Sequence, residues 1–317
     1  MEIIVIGGCG HIGSYLVPKL VKASHAVTVI SRGNSQAYVK DAAWKRVKHV
    51  HLDRSADEDF ADKIAAMNAD VVVDLINFTV KDTIDMTEAL QGTSLSHYLF
   101  CSSIWAHGRA ETLPADPNAV KQPLDEYGRS KYESEKYLKK KYLTEGFPAT
   151  IIMAGQISGP HWTIINPLGN QDTGVFQTIA DGEKIYLPNF GMETVHHVHA
   201  DDVAQMFMDA ITHRNQSLGE SFHAVAEDSL TLYGYAKAMY RFFDQEPNIE
   251  FLSWEKWCAY VGIEDYIDKT YYHIARSGKF SIENAKKLLD YAPKYATMEV
   301  IEDSINGYIE RKVITVK

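Results

Sequence analysis

Tyr127 and Lys131 stand four residues apart, so on a helix they share one face and the ammonium lies beside the phenol. A phenol ordinarily ionises near pH ~10 and needs nearby positive charge to act as an acid or base close to neutrality. The Tyr-x-x-x-Lys pattern alone is weak, because it begins at Tyr15, Tyr127, Tyr132, Tyr137, Tyr233 and Tyr308. Only the pair from Tyr127 opens a helix directly after a long loop, one that leaves a strand ending Leu99-Phe100-Cys101-Ser102-Ser103. The pairs from Tyr132 and Tyr137 lie on the same helix, rotated by ~140° and ~80°, so all three cannot face one reactant. Incidental residues on an exposed amphipathic helix account for the later pairs.

A second motif supplies the positive charge. Gly7-Gly8-Cys9-Gly10-His11-Ile12-Gly13-Ser14 lies between an apolar run, Ile3-Ile4-Val5-Ile6, and a segment whose apolar residues recur at helical spacing. Strand, glycine turn and helix together are the setting in which glycines signal dinucleotide binding. Gly7 permits the tight turn, and Gly10 lets a pyrophosphate approach the backbone. Gly13 lets the helix pack close, with its first N–H groups, from His11 and Ile12 onward, toward the phosphates. The spacing is G-x-x-G-x-x-G rather than G-x-G-x-x-G. A bound nicotinamide dinucleotide would bring a cationic ring to Tyr127.

The second strand ends in Ser31-Arg32, about eighteen residues beyond Gly13. NAD-selective sites usually carry Asp or Glu there, to bind the adenine ribose hydroxyls. Ser31 removes the carboxylate that would repel a 2′-phosphate, and Arg32 brings a guanidinium able to pair with it. NADP is therefore the expected preference over NAD; the plainer reading leaves Arg32 in solvent or stacked on adenine. Asp53, ending the third strand, is expected at the adenine ring, with a surface turn or a pair with Arg54 as the alternative. Leu75 and Asn77 fall where the fourth strand passes the cofactor ribose, unless Asn77 simply packs.

These residues need elements to hold them. Apolar patterns predict strands at 2–6, 26–31, 46–51, 70–76, 97–102 and 149–153, and helices near 11–23, 57–67, 82–91 and 127–144. Such alternation predicts a parallel sheet covered by helices on both faces. The stretch between Gly108 and Tyr127 holds Pro114, Pro117 and Pro123 and is long for a plain connection. A strand-helix unit at 195–199 and 200–213 suggests a return to the sheet. His196, His197 and His199 invite a metal reading, but no Cys or carboxylate completes a ligand set, and an ordinary histidine cluster is preferred. Trp254, Trp257, Tyr260, Tyr266, Tyr271 and Tyr272 would either line a sugar site or pack a cap.

Composition narrows the classes. The 317 residues carry a net charge of −10, which disfavours a nucleic-acid surface. No apolar run approaches the ~20 residues of a membrane span, and no charged, apolar leader pattern opens the sequence. Cys9, Cys101 and Cys258 have no metal-type spacing, which fits a reducing cytoplasm. A cytoplasmic protein without a membrane partner is expected.

Several segments together resemble the extended short-chain dehydrogenase/reductases, the NAD-dependent epimerase and dehydratase group, over nearly the whole chain. The glycine turn is similar to that family's T-G-G-x-G-x-I-G, with Ile6 in place of threonine. Cys101-Ser102-Ser103-Ile104-Trp105-Ala106-His107-Gly108 resembles S-S-S-x-x-x-Y-G, and Pro123-Leu124-Asp125-Glu126-Tyr127-Gly128-Arg129-Ser130-Lys131 closely matches P-x-x-x-Y-G-x-S-K. Gln156-Ile157-Ser158-Gly159-Pro160 is similar to N-V-Y-G-P, His199-Ala200-Asp201-Asp202-Val203-Ala204 to H-V-x-D-V-A, and Leu288-Leu289-Asp290-Tyr291-Ala292-Pro293 to L-L-G-W-x-P.

The resemblance implies an α/β fold: a Rossmann-type doubly wound parallel sheet with a smaller C-terminal substrate-binding domain. The expected division is 1–158 plus about 193–225 for the core, and about 159–192 plus 226–317 for the cap. It also implies Tyr127 as acid/base, Lys131 on the nicotinamide ribose and Ser103 on the reacting oxygen. A homodimer is implied through the tyrosine helix and the helix after the fourth strand, with Tyr137, Leu138, Tyr142, Met86 and Leu90 as its candidate surface; packing on their own sheet is the alternative.

Departures from the pattern matter as much. Ile104 and Trp105 replace the Asp-Glu pair of the family's dehydratases, which argues against 4,6-dehydration. Val195 stands where nucleotide-sugar members usually place a pyrophosphate-clamping Arg, and Met153-Ala154 replaces R-P after the sixth strand, with Arg276 as the candidate substitute clamp. The expected function is an NAD(P)-dependent oxidoreductase acting on a secondary alcohol or ketone of a sugar or sugar derivative. A nucleotide-sugar epimerase with retained NAD is the alternative; a non-catalytic cofactor sensor or RNA-associated member of the fold is the alternative of another class.

Overall fold

The computed structural model describes residues 1–33 and 36–316. Its first half runs β1 (Glu2–Ile6), α1 (His11–Lys22), β2 (Ala26–Ser31), β3 (Lys48–His51), α2 (Phe60–Ala65), β4 (Val71–Asp74), α3 (Val80–Leu90), β5 (His97–Ser103), α4 (Glu126–Glu145) and β6 (Ala149–Ala154). Next come β7 (Gln156–Ser158), α5 (Gly174–Ala180), β8 (Ile185–Pro188), β9 (Thr194–Val195), β10 (His197–His199), α6 (Ala200–Thr212), α7 (Arg214–Ser217) and β11 (Ser221–Ala224). The chain closes with β12 (Leu230–Thr231), α8 (Leu232–Phe242), β13 (Ile249–Leu252), α9 (Trp254–Val261), α10 (Glu264–Ile274), α11 (Glu283–Leu289) and α12 (Thr297–Glu310). None of the described helices is long and apolar enough to cross a membrane.

The central sheet is a Rossmann-type doubly wound one, in the order β11-β6-β5-β4-β1-β2-β3, and its neighbours pair in parallel. Alternating side chains feed two cores. From β1, Ile3 and Val5 face α1 and α6 through Leu16, Val17, Leu20, Val203 and Phe207. Ile4 and Ile6 face the other layer, with Phe60, Met86, Leu90 and Leu138. Burial on both faces is why these strands read as continuous apolar runs. Met86, Leu90 and Leu138 therefore pack on their own sheet and are not free to form a dimer surface. Ile164, Phe176, Tyr235, Trp257 and Tyr308 belong to a third cluster, which fills the cap.

Two expectations change. The strand at 195–199 does not return to the sheet: β10 pairs with β7, β9 with β12, and β11 takes the place beside β6. The chain leaves the sheet at Gly155, whose N–H donates to Ala224 O (3.0 Å) and where a Cβ would sit 2.6 Å from His196 O. Near the C-terminus, Phe280, Ile282, Ala285, Leu289 and Tyr291 join the sheet's α1/α6 core, so this part of the segment expected in the cap packs on the Rossmann layer instead.

The long loop before α4 is held from both ends. Ala115 N–H donates to Lys279 O (2.7 Å), and Ser281 N–H to Ala115 O (2.9 Å). Lys121 is buried, with its ammonium on Glu135 Oε1 (2.9 Å) and Pro117 O (2.7 Å), and Ser221 Oγ donates to the same Glu135 oxygen (2.7 Å). Lys121→Met leaves the buried Glu135 carboxylate with only the longer pair to Lys139 (3.4 Å) and should be destabilising, by less than the ~3–5 kcal/mol of a fully uncompensated buried charge. Chemical denaturation checks this, and an unchanged midpoint would refute it.

Acid should unfold the protein by a separate route. Burial holds His107 down to about 2 and His223 down to about 3, their Nε2 atoms 2.7 Å apart; His97 and His197 are held to about 3. The unfolded chain protonates such residues near pH ~6.5. Stability from these residues is therefore fully present above that value and is lost progressively as pH falls from there to about 3 and then about 2. Denaturation midpoints that stay constant from neutrality to pH ~5 would contradict this linkage.

Candidate active site

Helix α4 begins where the loop ends because Asp125 caps it, with Oδ1 accepting Gly128 N–H (2.6 Å). A Cβ on Gly128 would lie 2.4 Å from Trp105 O, so glycine lets the first turn press against the short turn at Ile104–Ala106. That contact brings Tyr127 to the end of β5, where it lines the same cavity as Ser103. Ser103 also accepts Trp105 N–H (3.2 Å), which fixes its rotamer.

Lys131, one turn along, is 2% exposed, and its ammonium donates to Asn77 O (2.6 Å) and Cys101 O (2.7 Å). Burial pushes its pKa down to about 8, against the pull of Cys101 and Asp74. An ammonium has three N–H donors. Two are engaged, and Lys131 lines the cleft in which the third can serve a ligand. Its nitrogen is 5.6 Å from the centroid of the Tyr127 ring. Burial, with Cys101 and Asp125, raises the Tyr127 phenol above its usual range, and Ser103 and the Arg276 charge offset only part of that rise. The tyrosine is nevertheless 40% exposed toward the cleft, so water there screens part of the burial effect.

Two cavities meet at the glycine turn. One, of about 460 Å³, runs from Gly7, Gly10, His11, Ile12 and Gly13 past Leu75 to Ser103, Tyr127 and Lys131. The other, of about 580 Å³, holds Ser31, Arg32 and Asp53. They share Gly7, Gly10, Ile76 and Phe78. Gly7 has φ +79°, and Gly10 opens α1 without a side-chain cap, leaving the helix start open to an anion. A Cβ at Gly13 would stand 2.3 Å from Gly8 O. A two-part cleft hinged on an uncapped helix start fits a dinucleotide.

Asn77 is placed differently from the other expected ligands. It is fully buried and lines neither cavity: its amide donates to Asp74 Oδ2 (3.1 Å) and Tyr98 OH (3.2 Å), and its Oδ1 accepts from Thr83 (3.0 Å). Its contribution to the site is the backbone carbonyl under Lys131. Asp53 faces Arg32 electrostatically and closes a turn with Ser55 N–H (2.9 Å), whereas Arg54 turns inward to Asp74 (2.6 Å). The histidine cluster is divided among separate partners: His196 to Ala226 O, His197 to Ser158 Oγ, and His199 to Asp201 N–H.

Sequence reasoning passed over Phe78, Trp162 and Gln171, which line the Tyr127 cavity. Phe78 follows Asn77 directly, and Trp162 stands two residues after Pro160, stacked on His11 at 4.9 Å. Trp257 lies in the cap core instead, its indole donating to Tyr186 O (2.9 Å).

Gly128→Ala should push α4 off Trp105 and move Tyr127. Turnover is expected to fall at least ~10-fold, because misplacing a catalytic group by ~1 Å already costs rate, while cofactor affinity changes little. Steady-state kinetics with cofactor titration check this, and an unchanged turnover number would contradict it.

Comparison with known proteins places the fold in a family. A family model described as "NAD dependent epimerase/dehydratase family" matches residues 3–224. The chloroplast stem-loop binding protein of 41 kDa b from Arabidopsis thaliana is 28% identical over 317 residues, covering 96% of this chain and 78% of that protein. A 2′-dehydrokanamycin reductase of Streptomyces kanamyceticus is 29% identical over 158 residues, 50% of this chain and 43% of the relative. The UDP-glucose 4-epimerase of Thermotoga maritima, solved with UDP-glucose, superposes with a TM-score of 0.73 at 18% identity, over 98% of this chain and 100% of that one. The UDP-glucuronic acid 4-epimerase of Bacillus cereus, solved with NAD, gives 0.73 at 17%, over 98% and 99%. The match from residue 3 to residue 224 spans the sheet, the glycine turn and the Tyr127 helix, and the chain belongs to the NAD-dependent epimerase/dehydratase family.

Proposed function

We propose that the protein is an NAD(P)-dependent oxidoreductase acting on a secondary alcohol or ketone of a sugar or sugar derivative through Ser103, Tyr127 and Lys131. The observation that carries this reading is the two-part cleft, with its glycine hinge at one end and the Tyr127–Ser103 pair at the other. A nicotinamide dinucleotide held there supplies hydride exchange with the substrate carbon. In the oxidising direction, Tyr127 as phenolate takes the proton from the substrate hydroxyl while Ser103 holds the oxygen. In the reducing direction, the Tyr127 hydroxyl returns that proton to the carbonyl oxygen. Lys131 offers its remaining N–H to the cofactor ribose, and its charge favours the phenolate.

Both directions in succession on one substrate would give an epimerase, the alternative within the same chemistry. Ile104 and Trp105 add no acid or base, so dehydration is not proposed. The stem-loop-binding relative motivates a second reading, a cofactor-bound RNA-binding protein, which the net charge of −10 disfavours. Tight cofactor binding without turnover, together with salt-sensitive binding of stem-loop RNA, would favour that reading. Assembly as a homodimer through α3 and α4 belongs to the proposal, with Tyr137 and Tyr142 as the candidate residues not buried on the sheet, and a monomer mass in light scattering would exclude it.

Tyr127→Phe should reduce turnover at least ~100-fold with similar cofactor affinity. Lys131→Ala should reduce both. Near-normal turnover in Tyr127→Phe would sink the assignment.

Cofactor choice rests on Ser31 and Arg32 in the adenine-side cavity. A charge-assisted contact of ~1.5–3 kcal/mol corresponds to a roughly 10- to 150-fold preference for NADP over NAD. Arg32→Ala should erase most of that preference, and Ser31→Asp should reverse it. Equal dissociation constants in the unmodified protein would show that Arg32 does not read the 2′-phosphate.

A further inference from the structure

A sugar joined through a diphosphate brings two negative charges, and each needs a cation or a helix start when it leaves water. The start of α1 is the anion site of the cofactor cradle. At the Tyr127 end, Lys131 is the one lysine or arginine among the described residues lining the cavity, and two of its donors are already engaged on backbone carbonyls. His11, in the same wall, is held neutral, its pKa pushed down to about 4 by burial.

A further guanidinium, that of Arg276, follows α10 and is not part of the cavity wall. It is 5% exposed, with Nη1 donating to Asp125 Oδ2 at 2.9 Å and Cζ 3.2 Å from the Trp105 ring centroid. One edge is thus paired and one face covered, and Nη2, though it has no hydrogen-bond partner, is buried away from the cleft surface. Asp125 is also the residue that caps α4 through Gly128. Val195, on β9, is 1% exposed within the cap core and offers no charge.

The walls that remain are aromatic and neutral. Trp105, Trp162 and Phe78 present ring surface, and Gln171 and Ser103 present hydrogen-bonding groups. Ring faces suit the C–H surface of a polyol ring, and amide and hydroxyl suit its oxygens. We infer that the substrate is an uncharged, phosphate-free polyol or its ketone, and that Arg276 is a positioning residue for the Tyr127 helix instead of a phosphate clamp. This rests on the oxidoreductase reading for its chemistry, but its test does not need turnover.

Calorimetric titration of UDP-glucose and of UDP into the cofactor-loaded protein should show no binding tighter than ~1 mM. A dissociation constant below ~1 mM for either probe overturns the inference. A protein that rejects both probes and also fails to oxidise any phosphate-free alcohol would count against the oxidoreductase reading while this exclusion stands. Positioning is tested with a phosphate-free substrate: Arg276→Met should lower kcat at least ~10-fold with the cofactor KM unchanged, and Arg276→Lys should recover part of the loss. Unchanged kcat in Arg276→Met would overturn the positioning role.

Discussion

Asp74 is fully buried at the end of β4, and its Oδ2 accepts from Arg54 (2.6 Å), Tyr98 (2.9 Å) and Asn77 (3.1 Å). That carboxylate sets the conformation of Asn77, whose carbonyl, with that of Cys101, holds the Lys131 ammonium. The exits of β4 and β5 and the start of α4 are therefore tied together by the Lys131 ammonium on two backbone carbonyls, above the buried Asp74–Arg54 pair. Removing one partner from such a network leaves a charge in a medium of low polarity, which costs several kcal/mol. The position of Tyr127, one turn before Lys131, follows from that constraint.

Around this anchor, the cleft is shaped by contacts that admit no side chain. Gly13 lets α1 touch the backbone of Gly8, and Gly128 lets α4 touch that of Trp105. The first contact accompanies an open helix start; the second brings Tyr127 to the end of β5. Arg276 adds a tie from the C-terminal segment to the cap of α4. Electrostatics and steric contact thus act on the same few turns, and the cap touches the tyrosine helix directly.

Most of the sheet was legible because its signals are local. Buried parallel strands give apolar runs such as Ile3–Ile6, and the glycine turn lies between such a strand and an amphipathic helix. Tyr127 could be chosen among six similar pairs because its neighbours identify a helix start after a long loop. What escaped depends on distant packing. Asn77 looked like a ligand because of its place in the sequence, but Asp74, Tyr98 and Thr83 enclose its side chain. The apolar residues of β9 and β10 read as a sheet strand, yet Gly155 had already turned the chain away to pair β7 with β10. Met86 and Leu138 carry the pattern of a free helix face as readily as that of a core. Arg276 has no local signal, since its partner lies 151 positions away.

A co-crystal structure with the oxidised nicotinamide dinucleotide tests the central claim most directly. The account predicts phosphates on the Gly7–Gly13 turn, the nicotinamide ribose on Lys131, and the nicotinamide ring beside Tyr127 and Ser103. A dinucleotide bound elsewhere, or bound with its nicotinamide turned away from Tyr127, would contradict it.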